Sequence, residues 1–456
     1  MIKDLTVGSP FKLILLFCLP LLLGNILQQL YNMVDAIIVG QFISMEALAA
    51  VGSTGAVSFF VIGFILGMCS GFCIPVAQAF GAGNEKELRR LVVNASYLSV
   101  IFGIVITAGS MLTTKQLLVL MQTPPEIIND AYTYIIIIFA GIPATILYNL
   151  LSGIMRSLGD SKTPLIFLAI AAILNIVLDL LFVLVIPMGV AGAAVATVIS
   201  QIVSGVLCWI YMKKRFPILK IQKDETGFNL ALSKRLVFSG IPMALQFSIT
   251  AIGSIILQSA VNTLGTGVVA AVTAANKVQS FVHLPLSTIG IAMATYCGQN
   301  LGAERLDRVK KGVNIGSLIT AIYCIVIMII IFFWGQYISL LFINKNDMDI
   351  LVYVDRFLKI CSIFYVPLGL IMVYRNAIQG LEFGIPAMLA GLFELIGRGV
   401  ICFSLLDIIG FDAVCIASPV AWIAANIFLI PFYYLVLHKI KKRLSLQTIN
   451  TKINFT

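Results

Sequence analysis

Apolar runs of about 20 residues follow one another from Leu13 nearly to the end of the chain, broken only by short charged or Pro/Gly-rich stretches. At about 1.5 Å per residue, each run can cross a hydrocarbon layer roughly 30 Å thick. Inside that layer a backbone must satisfy its own hydrogen bonds, which leaves helices or a closed barrel. The runs are continuous and do not alternate at strand spacing, so they select helices. Boundaries at the breaks predict twelve spans, near 14–40, 48–77, 92–113, 132–155, 165–186, 189–212, 237–262, 268–297, 313–335, 357–378, 386–406 and 413–437. The expected fold class is an all-α polytopic membrane protein.

A composition that is 60% hydrophobic and only 11% charged excludes a soluble chain of two or three domains. The net charge of +10 would suit a nucleic-acid partner only if it formed a patch, and it does not. Basic residues gather in alternate loops: Lys86, Arg89 and Arg90; Arg156 and Lys162; seven between Lys213 and Arg235; Arg305, Arg308, Lys310 and Lys311; and Lys439 to Arg443. The positive-inside rule then places both termini and the long central loop in the cytoplasm, in a bacterial-type cytoplasmic membrane. The first run lacks a short apolar region followed by a small-residue cleavage site, so no removed signal peptide is expected. The nine cysteines fall mostly within spans, and with only two histidines in the chain they read as small packing residues rather than metal ligands.

The chain repeats itself. AQAFGAGNEKELRRLV (77–92) aligns with GQNLGAERLDRVKKGV (298–313), pairing Gln78 with Gln299 at a separation of 221 (299 − 78). The same separation carries LAAV at 48–51 onto VAAV at 269–272 and Gly189 onto Gly410. Pro20 and Pro242, and Pro143 and Pro367, fall within three residues of that register. Two pseudo-symmetric six-helix bundles are therefore expected, 1–212 and 236–456, joined by a polar cytoplasmic linker at 213–235. An even number of spans per copy keeps both copies in the same orientation, an arrangement that transporters use to rock two bundles around a central substrate.

Polar residues inside the spans mark where chemistry could occur, because ionisable groups there are costly. The first span carries Asn25, Gln28, Gln29, Asn32 and Asp35 on one stripe. The equivalent stripe of the seventh, Gln246, Thr250, Ser254, Gln258 and Asn262, is polar but uncharged, and Asp35 falls near Ile256 or Leu257. Packing alone should treat the two copies alike, so the acid points to chemistry in one of them. On the fifth span Asn175 and Asp179 share a face, and Thr197 follows in the small-residue run 189–200 of the sixth. Asp35, Asn175, Asp179 and Thr197 are expected to converge and to hold a proton or a cation between the two carboxylates. The plainer alternative is a buried polar knot that bridges helices. In the second half, Glu394 and Arg398 have the i, i+4 spacing of an ion pair on one helix. Lys277 and His283 could meet a substrate or Glu394, or simply snorkel and hydrogen-bond.

Val34-Asp35 with Val39-Gly40, ALAAVG (47–52), the GAGNEKE loop, RSLGDSKTP (156–164), Asn175 with Asp179, and GAAVAT (192–197) together resemble the multidrug and toxic compound extrusion (MATE) family over nearly the whole chain. That resemblance implies a twelve-helix exporter whose two lobes open alternately to each side of the membrane. It would expel bulky, often cationic and aromatic compounds against inward H⁺ or Na⁺. It also implies that Asp35, Asn175, Asp179 and Thr197 form the ion-coupling site of the N-lobe. Sodium-coupled relatives carry acids on the seventh and tenth helices, whereas the matching stretches here, 242–253 and 366–380, contain no Asp or Glu. N-lobe coupling to H⁺ is thereby favoured, with Na⁺ as the other candidate and no other metal.

The expected function is thus a secondary antiporter for small drug-like molecules, working as a monomer among membrane lipids, without cofactor or nucleic acid. Its substrate cavity is expected to draw on Gln28, Asn32, Gln246, Gln279, Lys277 and His283. A lipid-linked precursor flippase of a related superfamily is the alternative, and would usually carry about fourteen spans. A membrane enzyme is disfavoured, since neither HExxH nor Gly-x-Ser-x-Gly occurs.

Overall fold

A computed structural model describes residues 3–340 and 348–453, and no strand occurs among them. The first copy comprises α1 (Pro10–Phe42), α2 (Met45–Ser53), α3 (Gly55–Gly81), α4 (Glu85–Leu120), α5 (Ile128–Ala140), α6 (Ile142–Ser157), α7 (Lys162–Leu180) and α8 (Val190–Arg215). The second comprises α9 (Leu230–Asn262), α10 (Thr266–Gly302), α11 (Leu306–Ser339), α12 (Met348–Ile363), α13 (Tyr365–Gly380), α14 (Gly384–Ser404), α15 (Leu406–Ile409) and α16 (Phe411–Ile453). Ten helices are long and apolar enough to span a membrane, and two bent pairs bring the total to twelve. Large side chains such as Leu112, Phe333, Phe403 and Ile427 stand exposed on these helices, as a lipid-facing surface requires.

The fourth and tenth spans, expected at 132–155 and 357–378, are the two bent pairs. α5 and α6 meet at 45°, and α12 and α13 at 51°. Pro143 and Pro367 follow the two breaks closely. Each lacks an N–H, and its ring crowds the carbonyl four residues earlier, at Phe139 and Ile363, where the preceding helix ends. The fifth span is also interrupted, because α7 gives way to a π-helical turn at Leu181–Val185.

By contact the chain divides into two units, Met1–Asp4 with Leu16–Ser248, and Leu5–Leu15 with Ile249–Thr456. In the first, α8 packs on α5, α6 and α7, while α3 packs on α4 and α6. Ile65, Met68 and Phe72 of α3 fill its interior with Phe139, Ile142 and Ile154. Lipid tails are as apolar as these side chains, so close backbone approach must hold the helices together. Gly67 and Gly71 permit it: a Cβ on either would lie 2.5 Å from backbone atoms of α9, the Met243 oxygen or the Gly240 Cα. In the second unit α16 packs on α13 and α14, and α10 on α11, α12 and α13.

The repeat is written into the backbone. Left-handed φ values occur at Gly83 (67°), Gly159 (82°) and Gly189 (60°), and again at Glu304 (56°), Glu382 (66°) and Gly410 (55°). Each position in the second group lies 221 or 223 residues after its counterpart (304 − 83, 382 − 159, 410 − 189).

The repeated Gln78/Gln299 motif grips chain entering a copy. In the first unit Arg235 donates from Nη2 to Gln78 Oε1 at 2.8 Å and pairs through Nη1 with Glu87 at 2.7 Å. Nearby, Arg89 holds Glu225 of the linker with two bonds of 2.7 and 2.9 Å, and the Gln222 N–H donates to the same carboxylate. The guanidinium and that backbone donor pull the Glu225 pKa down to about 2. In the second unit Gln299 Oε1 accepts from Leu5 N at 2.8 Å, and Arg308, at the position equivalent to Glu87, donates to the Leu5 and Gly8 carbonyls.

Candidate functional site

α1 brings Asp35 inward in its C-terminal third, and Tyr31 one turn earlier lies on the same face. The rest of the predicted stripe does not follow: Gln28, Gln29 and Asn32 are exposed. α7 supplies Asn175 and Asp179, both almost fully buried, and its final helical turn ends one residue after Asp179. The π turn begins there, a distortion that often accompanies functional sites. Thr197 projects from α8, and Asn175 Nδ2 donates to its Oγ1 at 3.4 Å. The first turns of α8 are built from Gly and Ala, and Gly192 packs against the Phe182 backbone, so α8 lies close beside α7.

Asp35 and Asp179 lie within electrostatic reach of one another. Tyr31, Tyr134 of α5 and Gln201 of α8 complete the cluster, the two tyrosines sensing both carboxylates and Gln201 lying beside the Tyr31 hydroxyl. Five oxygens here are buried without a hydrogen-bond partner: Asp35 Oδ1, Asn175 Oδ1, both carboxylate oxygens of Asp179, and Gln201 Oε1. No described Lys or Arg pairs with either acid. A donor set made only of oxygen suits a proton or a hard monovalent cation. Among the described residues no group of three His, Cys, Asp or Glu side chains is placed to hold a metal ion.

The four residues expected to converge do so. Tyr31, Tyr134 and Gln201 were missed, although Gln201 lies at i+4 from Thr197 and Tyr31 at i−4 from Asp35. Tyr134 gave no signal, because nothing in the sequence says which face of α5 meets α1.

The second unit corrects the predicted Glu394–Arg398 pair. Glu394 instead pairs with Arg375 of α13, a residue the hydropathy pattern would put near a span end. On α14 the two i, i+4 side chains diverge, since a buried carboxylate is better served by a guanidinium on the facing helix. Glu394 is therefore not the partner of Lys277 or His283 either. Lys277 is exposed, and His283 is within electrostatic reach of Arg398. Gln279 turns into its own bundle beside Cys361 and Tyr365. In the first unit Gln246 is half-buried.

A MatE family model matches residues 20–181 and again 242–403, an offset of 222 (242 − 20) that reproduces the internal repeat. The chain belongs to the MatE family. Among the relatives it resembles, "Probable multidrug resistance protein YpnP" of Bacillus subtilis is 33% identical over 82% of this chain and 84% of that protein. "Probable multidrug resistance protein YoeA" of the same organism is 32% identical over 74% of this chain and 75% of its own length. A solved outward-facing multidrug resistance MATE transporter superposes with a TM-score of 0.90 at 23% identity, over 96% of this chain and 98% of that one. This MatE protein is accordingly a multi-pass membrane transporter of the multidrug-efflux family, and not an enzyme.

Proposed function

We propose that this transporter is a secondary antiporter that exports bulky, often cationic and aromatic compounds in exchange for H⁺, with Na⁺ the competing candidate. The observation that carries the reading is the pair of buried, mutually facing carboxylates at Asp35 and Asp179, surrounded by unpartnered oxygens and lacking a basic partner. Two carboxylates so placed repel, and a proton or a cation between them relieves the repulsion. Asn175, Thr197 and Gln201 orient the carboxylates and supply further oxygens, while Tyr31 and Tyr134 close the cluster.

Coupling requires the ion and the exported compound to favour different states of the protein. The repeated bundles, 1–212 and 236–456, are the bodies that would exchange those states, with the linker at 213–235 and both termini in the cytoplasm of a bacterial-type cell. A proton entering down one pH unit supplies about 1.4 kcal/mol, enough to drive a tenfold gradient of exported compound. The transporter acts as a monomer.

The test is dye efflux from vesicles under separately imposed H⁺ and Na⁺ gradients, with Asp35→Asn and Asp179→Asn beside the parent. Gradient-driven efflux should collapse in both variants while dye binding persists. Full-rate efflux in both would end the N-lobe coupling reading, and the gradient that drives the parent identifies the ion.

A further inference from the structure

Charge pairing in the second unit leaves two buried guanidiniums without an acid among the described residues: Arg308, whose donors go to Asn300 and to the Leu5 and Gly8 carbonyls, and Arg398, which has no such acceptors. Asp355 takes Lys359 at 2.7 Å, Asp412 takes Arg356 at 2.6 Å, and Glu394 takes Arg375. Arg398 is 8% exposed, has no ion-pair partner among the described residues, and carries a buried Nε without a hydrogen-bond partner. Arginine cannot shed its proton in a protein, so the charge stays. An unneutralised guanidinium inside a membrane span is costly and marks a functional site by default.

Its surroundings bring no counter-ion within ion-pair distance among the described residues. Nη1 lies 2.5 Å from where a Cβ of Gly253 would stand, so the head occupies room that α9 leaves by having no side chain there. Thr250, one turn earlier, and the exposed Ser254 belong to the polar stripe of α9. His283 of α10 and Cys402 of α14 lie within electrostatic reach, and the Glu394 carboxylate, one turn earlier on α14, is taken by Arg375. Among the described residues, the first copy thus holds two buried carboxylates without a basic partner, and the second holds Arg398 without an acidic one.

We propose that Arg398 is a recognition site for an oxyanion of the transported molecule, a carboxylate held by the fork of the guanidinium. Zwitterionic and anionic amphiphiles then join cations among the compounds carried. The planar, fixed donors of arginine suit such a group better than a lysine ammonium would. The inference rests on the efflux reading only in taking a transported compound as the occupant.

Rhodamine B and its ethyl ester share one scaffold and differ in a free carboxylate, which makes them the probes. Their binding is followed by fluorescence polarisation to the full-length protein in phosphatidylcholine nanodiscs, with no ion gradient, so failure of the antiport reading leaves the result intact. Arg398→Gln should weaken rhodamine B roughly tenfold or more, as expected for losing a charge-assisted hydrogen bond, and leave the ester within about twofold. Arg398→Lys should fall between parent and Arg398→Gln. Gly253→Ala, which displaces only the flexible head of Arg398, should reproduce the selective loss without unfolding the protein. Equal losses for both dyes, or no loss for either, overturn the proposal. So does a preference for rhodamine B that vanishes when phosphatidylglycerol is added, because the guanidinium would then be holding an anionic lipid headgroup.

Discussion

Replacing Glu394 by Gln distinguishes two electrostatic arrangements of the second unit. Helical spacing pairs this acid with Arg398, whereas the folded chain pairs it with Arg375 of the facing helix. Both side chains of the observed pair are largely buried, at 4% exposure for Arg375 and 13% for Glu394. Removing one partner of such a pair leaves an uncompensated buried charge and costs about 3–5 kcal/mol. Residual solvent at Glu394 places the expected cost at the lower end, about 3 kcal/mol. For a unit of this size that corresponds to an apparent melting temperature lowered by about 10 °C. Thermal unfolding in detergent of Glu394→Gln, Arg375→Gln, Arg398→Gln and the two double variants that include Glu394→Gln completes the cycles. Coupling between positions 394 and 375 should reach about 2 kcal/mol, and that between 394 and 398 should stay below about 0.5 kcal/mol. A coupling to Arg398 as large as that to Arg375 would refute the pairing.

Three further outcomes are expected. Glu225, with its pKa drawn down from the ordinary 4.5 to about 2 by Arg89, stabilises the docked linker fully above pH 4.5 and loses that contribution as pH falls toward 2. Protection of residues 213–235 against hydrogen exchange, taken relative to the intrinsic rate at each pH, should therefore fall through that window in the parent and be low throughout it in Glu225→Gln. Glu304→Gly relieves a left-handed residue at a position that is glycine in the other copy, and should raise stability by about 1 kcal/mol in thermal unfolding. Gln201→Leu removes one of the unpartnered oxygens beside Asp35 and Asp179, and should weaken ion-driven efflux roughly tenfold at limiting ion concentration, recoverable at higher concentration. Unchanged ion dependence would remove Gln201 from the site.

How much of this was legible depended on the range over which each signal acts. Span number, helical class and the repeat follow from local hydropathy and from register, and both survive folding. The convergence of Asp35 with Asn175, Asp179 and Thr197 was readable because each residue is a costly polar group in an apolar run, and apolar surroundings leave such groups few places to go. The π turn after Asp179 was not readable, since LLFVLV carries no proline or glycine to announce it. The breaks before Pro143 and Pro367 had their cause in plain view, yet proline is tolerated in membrane helices and need not break one. The Arg375–Glu394 pair was missed and Arg398 wrongly partnered for the same reason: ion pairing between helices depends on which faces meet, and periodicity on one helix does not contain that information.

The duplication supplies an internal control on which features are architectural. Backbone demands recur in both copies: left-handed turns 221 to 223 residues apart, prolines near the same helix breaks, and a glutamine that anchors incoming chain. They recur even where the residue is unfavourable, as at Glu304 and Glu382, where glycine would fit with less strain. Unpaired charge does not recur. Asp35 faces an aliphatic position in the second copy, and Arg398 has no basic counterpart buried beside Asp179. If the buried charges served only to tie helices together, equivalent crossings would need equivalent ties, and each copy would neutralise its own. Each copy instead keeps buried charge that its own pairs do not neutralise, carboxylates in one and the Arg398 guanidinium in the other, as the proposed binding of an ion and of an oxyanion requires.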